Sequence, residues 1–155
     1  MEIISLNPVQ LKIFGYVALS MLLGALIGID RELAKKPAGI RTNMLVAGSA
    51  TLLVSLGEVM IGRYQFTHDL VRSDPLRIIE AVITGISFIG AGMIIRRGTE
   101  DVEGLTTAAS ILFVASVGIC VAISQILLAI GTTALALLTL RVLAIYLKKH
   151  KDQKR

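Results

Sequence analysis

The chain has a single cysteine, Cys120. An internal disulfide and a cysteine-based metal cluster are therefore excluded. Cys120 sits inside an apolar block, where an inert, small packing residue is expected. Charge is missing over a long stretch: no Asp, Glu, Lys or Arg lies between Gly104 and Leu140. Water does not solvate such a block, and 155 residues cannot wrap it inside a soluble core. The residues before the first apolar block, "MEIISLNPVQ", lack a basic start and a small-residue cleavage site. The block reads as a retained helix and not as a signal peptide. Paired carboxylates, Ser–His pairs, His-based metal sets and a phosphate loop are missing as well, so no enzyme is expected. No carboxylate falls near the middle of any apolar block, where it would be the strongest sequence sign of an ion path.

What is present is apolar. Hydrophobic residues make up 54% of the chain and the mean hydropathy is +0.76. They come in blocks close to the roughly 20 residues that a helix needs to cross a bilayer. The blocks predict an all-α membrane protein of five spans. The helices run from about Leu11 to Ile29, Asn43 to Ile61, Ile78 to Ile95, Leu105 to Ile123 and Ile126 to Leu147. Residues 1–147 thus form one transmembrane domain, and 148–155 a basic tail. Only Ser124 and Gln125 separate the last two helices; a single helix would be about twice the bilayer thickness, so a tight hairpin is expected. Asp74-Pro75 reads as a helix start, with Asp74 as cap.

Basic residues then set the direction. The segments after helices one and three and the C-terminal tail hold eleven of the sixteen Lys and Arg, and the opposite side holds four. The positive-inside rule places the N-terminus outside and the C-terminus in the cytoplasm. The net charge of +5 follows from this topology, and no nucleic-acid partner is needed to explain it. The longest outer loop, from Gly62 to Arg77, contains His68 and Asp69, which read as solvated, and Phe66 and Leu70, which are spaced for a short interfacial turn.

Two stretches resemble one another. "LLGALIGIDRE" from Leu22 aligns with "FIGAGMIIRRG" from Phe88, and "GIRT" from Gly39 with "GLTT" from Gly104. The repeat suggests two parallel helical hairpins and a fifth helix. At each return into the membrane a threonine, Thr42 or Thr106, is placed to cap a helix start. Those starts carry free N–H groups and the positive dipole end, close to Arg41, Arg96 and Arg97. Asp30, Arg31 and Glu32 follow helix one directly. Two acids flanking one Arg exceed what a charged helix stop requires, so Asp30, Arg31, Glu32, Arg41, Thr42, Asn43, Arg96, Arg97 and Thr106 are expected to form a cytoplasmic-face network. Arg41 and Asn43 are the expected partners of this charged tripeptide. Glu58 and Glu80 are the only carboxylates at membrane depth, both near the outer boundary. They read as interfacial, or as contacts for a hard cation in an outer vestibule. Arg141 either snorkels or faces the bundle and pairs with an acid. Ser20, Gly24 and Gly28 on helix one, and Gly85 and Gly92 on helix three, give small faces that let helices approach closely. The same faces suit a homodimer.

"GALIGIDREL", "KPAGIRTNMLV", "DPLRIIEAVITGISFIGAGMIIRRG" and "GLTTAASILFVASVGI" resemble the membrane domain of the MgtC/SapB family, in order and spacing, from about Gly24 to Ile119. The family pattern has Glu where this chain has Asp30, His for Asn43, Gly for Ser87 and Trp for Leu112. Many members append a small soluble domain after the fifth helix; this sequence ends eight residues past Leu147 and resembles the short form. The resemblance implies a multi-pass bacterial inner-membrane protein tied to magnesium homeostasis and growth at low magnesium, and to virulence in pathogens. No cofactor is expected, with Mg²⁺ entering only as ligand or signal. A membrane regulator that binds another membrane protein is the expected function, and a divalent-cation carrier or channel is the alternative.

Overall fold

The computed structural model describes residues 7–64, 74–97 and 101–152. Residues of the outer loop named above, Phe66, His68, Asp69 and Leu70, lie outside them. The elements in chain order are α1 (Pro8–Leu33), α2 (Ile40–Tyr64), α3 (Pro75–Gly92), β1 (Ile95–Arg97), β2 (Asp101–Glu103), α4 (Leu105–Ala122) and α5 (Ile126–Asp152). The fold is all-α. The two strands are a three-residue antiparallel ribbon inside the α3–α4 connection, with Arg96 opposite Val102. Four of the helices are long and apolar enough to cross a membrane, and Ile126–Val142 is a shorter apolar segment.

Local chemistry fixes the ends. Asn7 accepts from the Val9 amide at 3.0 Å with Pro8 in the first turn of α1, and Asp74 accepts from the Leu76 amide at 2.9 Å with Pro75 next to it. Each side chain satisfies an otherwise orphan N–H, and each proline occupies a site where no N–H is needed. Both α1 and α4 end in the same way. Lys36 N–H donates to the Arg31 carbonyl and Lys35 N–H to Glu32; Gln125 N–H donates to Cys120 and Ser124 N–H to Val121. The paired bonds are Schellman motifs, which require a left-handed residue. Lys35 (φ 53°) and Ser124 (φ 63°) fill that position. The second motif is what makes the α4–α5 hairpin tight. A left-handed side-chain residue costs about 1 kcal/mol, so Lys35→Gly is expected to raise stability by about 0.5–1 kcal/mol, measured as thermal unfolding in detergent.

Direction follows from the contacts. Gly24 and Gly28 of α1 lie on the start of α2, where an added Cβ would come within 2.5 Å of the Asn43 carbonyl and 2.6 Å of Ile40 Cα. Gly90 near the end of α3 lies against Ala108 near the start of α4, at 3.5 Å, and Gly104 (φ 94°) packs under Met93 and Ile94. In the alignment of the two similar stretches Gly24 corresponds to Gly90, and Asn43 to Ala108. This one contact thus recurs in both hairpins, tight in the first and looser in the second. The ends of α1 and α3 and the starts of α2 and α4 share one end of the bundle. It also holds the C-terminal part of α5, since Arg141 reaches Asp30. We call it the basic end.

Without a hydrophobic force between helices in lipid, close backbone approach holds the bundle together. Gly118 of α4 lies directly on the Ala47 carbonyl of α2, and Thr51 Oγ1 donates both to Ala47 (3.0 Å) and across to the Gly118 carbonyl (2.8 Å). Around this contact Ile27, Ala47, Ala50, Ile111, Val114 and Ala115 are buried. Leu23, Val117, Val121 and Ala129 form a second cluster among α1, α4 and α5. The small face expected on α3 is not used as the sequence suggested. Gly85 and Gly92 are exposed with nothing within 4 Å of an added Cβ, and Gly90 makes the contact instead. Most of α3 faces outward; Phe88 is 82% exposed, as suits a lipid-facing residue.

Candidate functional site at the basic end

Successive residues of a helix point about 100° apart, so Asp30, Arg31 and Glu32 in the last turn of α1 face three directions. Each meets a different helix. Asp30 Oδ1 accepts from Arg141 Nε of α5 at 3.0 Å. Arg31 Nη2 donates to Thr107 Oγ1 of α4 at 2.9 Å. Glu32 Oε2 accepts from the Ile40 amide, the first N–H of α2, at 3.0 Å. The tripeptide therefore ties one helix end to three neighbours.

These bonds differ from the expected network. The tripeptide meets Arg141, Thr107 and the Ile40 amide, and not Arg41 or Asn43; Arg41 is exposed. Neither threonine caps a helix. Thr42 lies inside α2, whose first N–H is held by Glu32, and α4 begins after Gly104, which makes no side-chain cap bond. Thr106 is exposed. Asn43 is fully buried and staples the turn before α2, donating from Nδ2 to the Ala38 (2.7 Å) and Gly39 (2.9 Å) carbonyls. Arg96 and Arg97 lie on β1 of the ribbon. Of the two outcomes left open for Arg141, pairing with an acid is the one observed.

At this end one donor and one acceptor stay unmatched among the described residues. Arg31 is 5% exposed, yet its Nε is buried without a partner among the described residues, as is Asn43 Oδ1. A lateral groove of about 340 Å³ opens between α1, α4 and α5. Ile27, Thr106, Ser110, Phe113, Thr132 and Thr139 are among its lining residues. Thr132 turns its hydroxyl to the Leu128 and Ala129 carbonyls, so the groove presents an apolar wall.

At the opposite end Glu58 lines a crevice of about 90 Å³ with Lys12, Tyr16 and Ser55. Tyr16 and Ser124 are hydrogen-bonded at 3.0 Å, Lys12 Nζ sits 5.3 Å from the Tyr16 ring centre, and Ser55 Oγ is buried without a partner among the described residues. Glu80 is exposed on α3 and does not line this crevice. The two acids are not brought into one site, and among the described residues no three His, Cys, Asp or Glu side chains gather as a metal-holding group. Sequence reasoning missed Thr107, Tyr16, Ser55 and Ser124. Thr107 was within reach: the alignment of "GIRT" with "GLTT" equates it with Thr42.

The model of the MgtC family matches residues 17–148. The chain belongs to the MgtC family. SapB of Bacillus subtilis is 36% identical over 104 residues, covering 66% of this chain and 44% of SapB. YhiD of Escherichia coli K12, provisionally named a magnesium transporter, is 37% identical over 121 residues, 75% of this chain and 53% of YhiD. MgtC of Salmonella typhimurium is 37% identical over 119 residues, 76% of this chain and 46% of MgtC. The chain spans about half the length of the curated relatives it matches. No solved structure matches it. With this membership and its apolar helices, the chain is a multi-pass membrane protein. Every bond made by Asp30, Arg31 and Glu32 falls inside the span matched by the MgtC family, whereas Lys12 and Tyr16 precede it.

Proposed function

We propose that this MgtC-family protein supports magnesium homeostasis from a bacterial inner membrane as a regulator that contacts another membrane protein. It does not conduct the ion, catalyse a reaction or use a cofactor. Its basic end faces the cytoplasm, as the distribution of Lys and Arg favours. The magnesium link rests on the family resemblance and on the name given to YhiD. The observation that carries the regulatory reading is the closed interior between α1, α2 and α4. Mg²⁺ needs about six oxygens in octahedral order and sheds water reluctantly. Here the buried hydroxyls of Ser20, Thr51 and Ser110 are bonded to backbone carbonyls, and glycine contacts press the helices together.

The second reading, a divalent-cation carrier, is favoured by one observation: Glu58 and the unpartnered Ser55 hydroxyl share a crevice. Magnesium flux into liposomes holding only the purified protein separates the two. The regulator gives no flux above protein-free vesicles, while cells still need the chain to grow at low magnesium. Saturable uptake that is lost with Glu58→Gln or Glu80→Gln would overturn the proposal.

A further inference from the structure

Lys12 and Glu58 carry opposite charges, line the same crevice and do not meet. Both border the space of about 90 Å³ between α1, α2 and α4, and among the described residues they form no ion pair with each other. Lys12 Nζ stands over the Tyr16 ring instead, and the Tyr16 hydroxyl is bonded to Ser124. Ser55 lines the same crevice; it is 4% exposed, and its Oγ has no partner among the described residues. The other buried hydroxyls differ. Ser20, Thr51, Ser110 and Thr133 each donate to a carbonyl of their own helix, the usual course for such a side chain, and Thr107 accepts from Arg31. A buried polar group without a partner is costly. A ligand entering the crevice removes that cost.

The lining dictates the chemistry of that ligand. Glu58 calls for a cation, Lys12 for an anion, and the Ser55 oxygen for a hydrogen-bond partner. The volume equals about three water molecules at roughly 30 Å³ each, so the occupant is small. Val9 and Lys12 lie within two turns of the start of α1, and Glu58 and Val59 within two turns of the end of α2. In a chain that spans the membrane, the ends of its helices lie at the depth of lipid headgroups. An ammonium joined to a phosphate by a short ethyl arm meets all of these conditions. Its N–H groups reach Glu58 and Ser55 while the phosphate faces Lys12, and such charge-assisted bonds are the stronger kind. A headgroup with a phosphate alone brings nothing for Glu58. A quaternary ammonium is bulkier and has no N–H to donate.

We propose that this crevice binds a phosphoethanolamine group, with its ammonium between Glu58 and Ser55 and its phosphate at Lys12. The depth of the crevice favours the headgroup of phosphatidylethanolamine as the source; free O-phosphoethanolamine offers the same chemistry. The inference does not rest on the regulatory reading, and its failure leaves that reading untouched.

Native mass spectrometry of the full chain tests it, with the protein released from micelles holding equal amounts of phosphatidylethanolamine, phosphatidylglycerol and phosphatidylcholine. The wild type is expected to retain one phosphatidylethanolamine about tenfold in excess over either other lipid, the effect of one charge-assisted hydrogen bond. Glu58→Gln is expected to abolish the preference over phosphatidylglycerol, and Lys12→Gln to lower retention of phosphatidylethanolamine. Both side chains are exposed, so neither change threatens the fold. Ser55→Ala is expected to weaken retention, whereas Ser116→Ala, exposed on α4 and bonded to the Leu112 carbonyl, leaves it unchanged. Equal retention of the three lipids by the wild type would overturn the proposal, as would a preference that survives Glu58→Gln. The source is read from thermal unfolding of delipidated protein. A rise with phosphatidylethanolamine alone assigns the site to the lipid, and an equal rise with O-phosphoethanolamine that Glu58→Gln removes assigns it to the free zwitterion. No rise with either would overturn the site itself.

Discussion

Replacing Gly118 with alanine is expected to cost about 3 kcal/mol or more, at or beyond the upper end of what overpacking a core usually costs. The reason is the identity of the atoms in the way. An added Cβ would meet the carbonyl oxygen of Ala47 and, at 3.1 Å, the Thr51 hydroxyl. The first is backbone on a neighbouring helix and cannot rotate aside. Relief needs α2 and α4 to separate, and separation breaks the Thr51 bond to the Gly118 carbonyl. The same change at Gly131, with nothing within 4 Å of an added Cβ, is expected to be neutral or to stabilise by up to about 1 kcal/mol through helix propensity. Thermal unfolding of both variants in one detergent is the measurement. Equal melting temperatures would mean that the α2–α4 contact is not as close as described.

Removing the Thr107 hydroxyl is the second large effect. Thr107→Val keeps the shape of the side chain and takes away the one acceptor that the buried Arg31 guanidinium has among the described residues. A buried donor left unmatched costs about 1–3 kcal/mol, and more when it is charged. Thr106→Val, one residue away on the exposed face, is expected to change stability by less than about 0.5 kcal/mol. Thr107→Ser, which retains the acceptor, should recover most of the loss. The ordering of the three variants matters more than any single value. A Thr107→Val protein as stable as the Thr106→Val protein would show that Arg31 does not depend on this bond.

The spans were legible because bilayer thickness imposes a length on apolar blocks, and the break at Ser124–Gln125 because one helix across both blocks would be too long. The small face of α1 was legible too. Ser20, Gly24 and Gly28 recur at helical spacing, and all three are buried. On α3 the same reasoning chose Gly85 and Gly92 and missed Gly90. Spacing says which residues share a face, but not which face meets a neighbour. Gly118 went unnamed although Val114, Gly118 and Ala122 lie on one stripe of α4 and are buried. Asp30, Arg31 and Glu32 stood out by their charge. Their partners did not, because Thr107 and Arg141 are remote in sequence and only the packing of α4 and α5 against α1 brings them near. Partners close in sequence were the natural expectation; Arg41 proved exposed, and the buried Asn43 bonds its own turn.

The bond from Arg31 to Thr107 joins residues 76 positions apart. During synthesis the first two helices therefore enter the bilayer before the acceptor for Arg31 exists. Until the fourth helix arrives, the guanidinium belongs at the water boundary, and the final turn of the first helix has no fixed seat. Glu32 can close the first hairpin alone, since its amide partner at Ile40 is local. The three neighbouring charges are thus set in order of emergence: Glu32 with the second helix, Arg31 with the fourth, Asp30 with the fifth. A chain halted before Gly104 would leave one closed hairpin bearing an unseated cation and an unpaired acid.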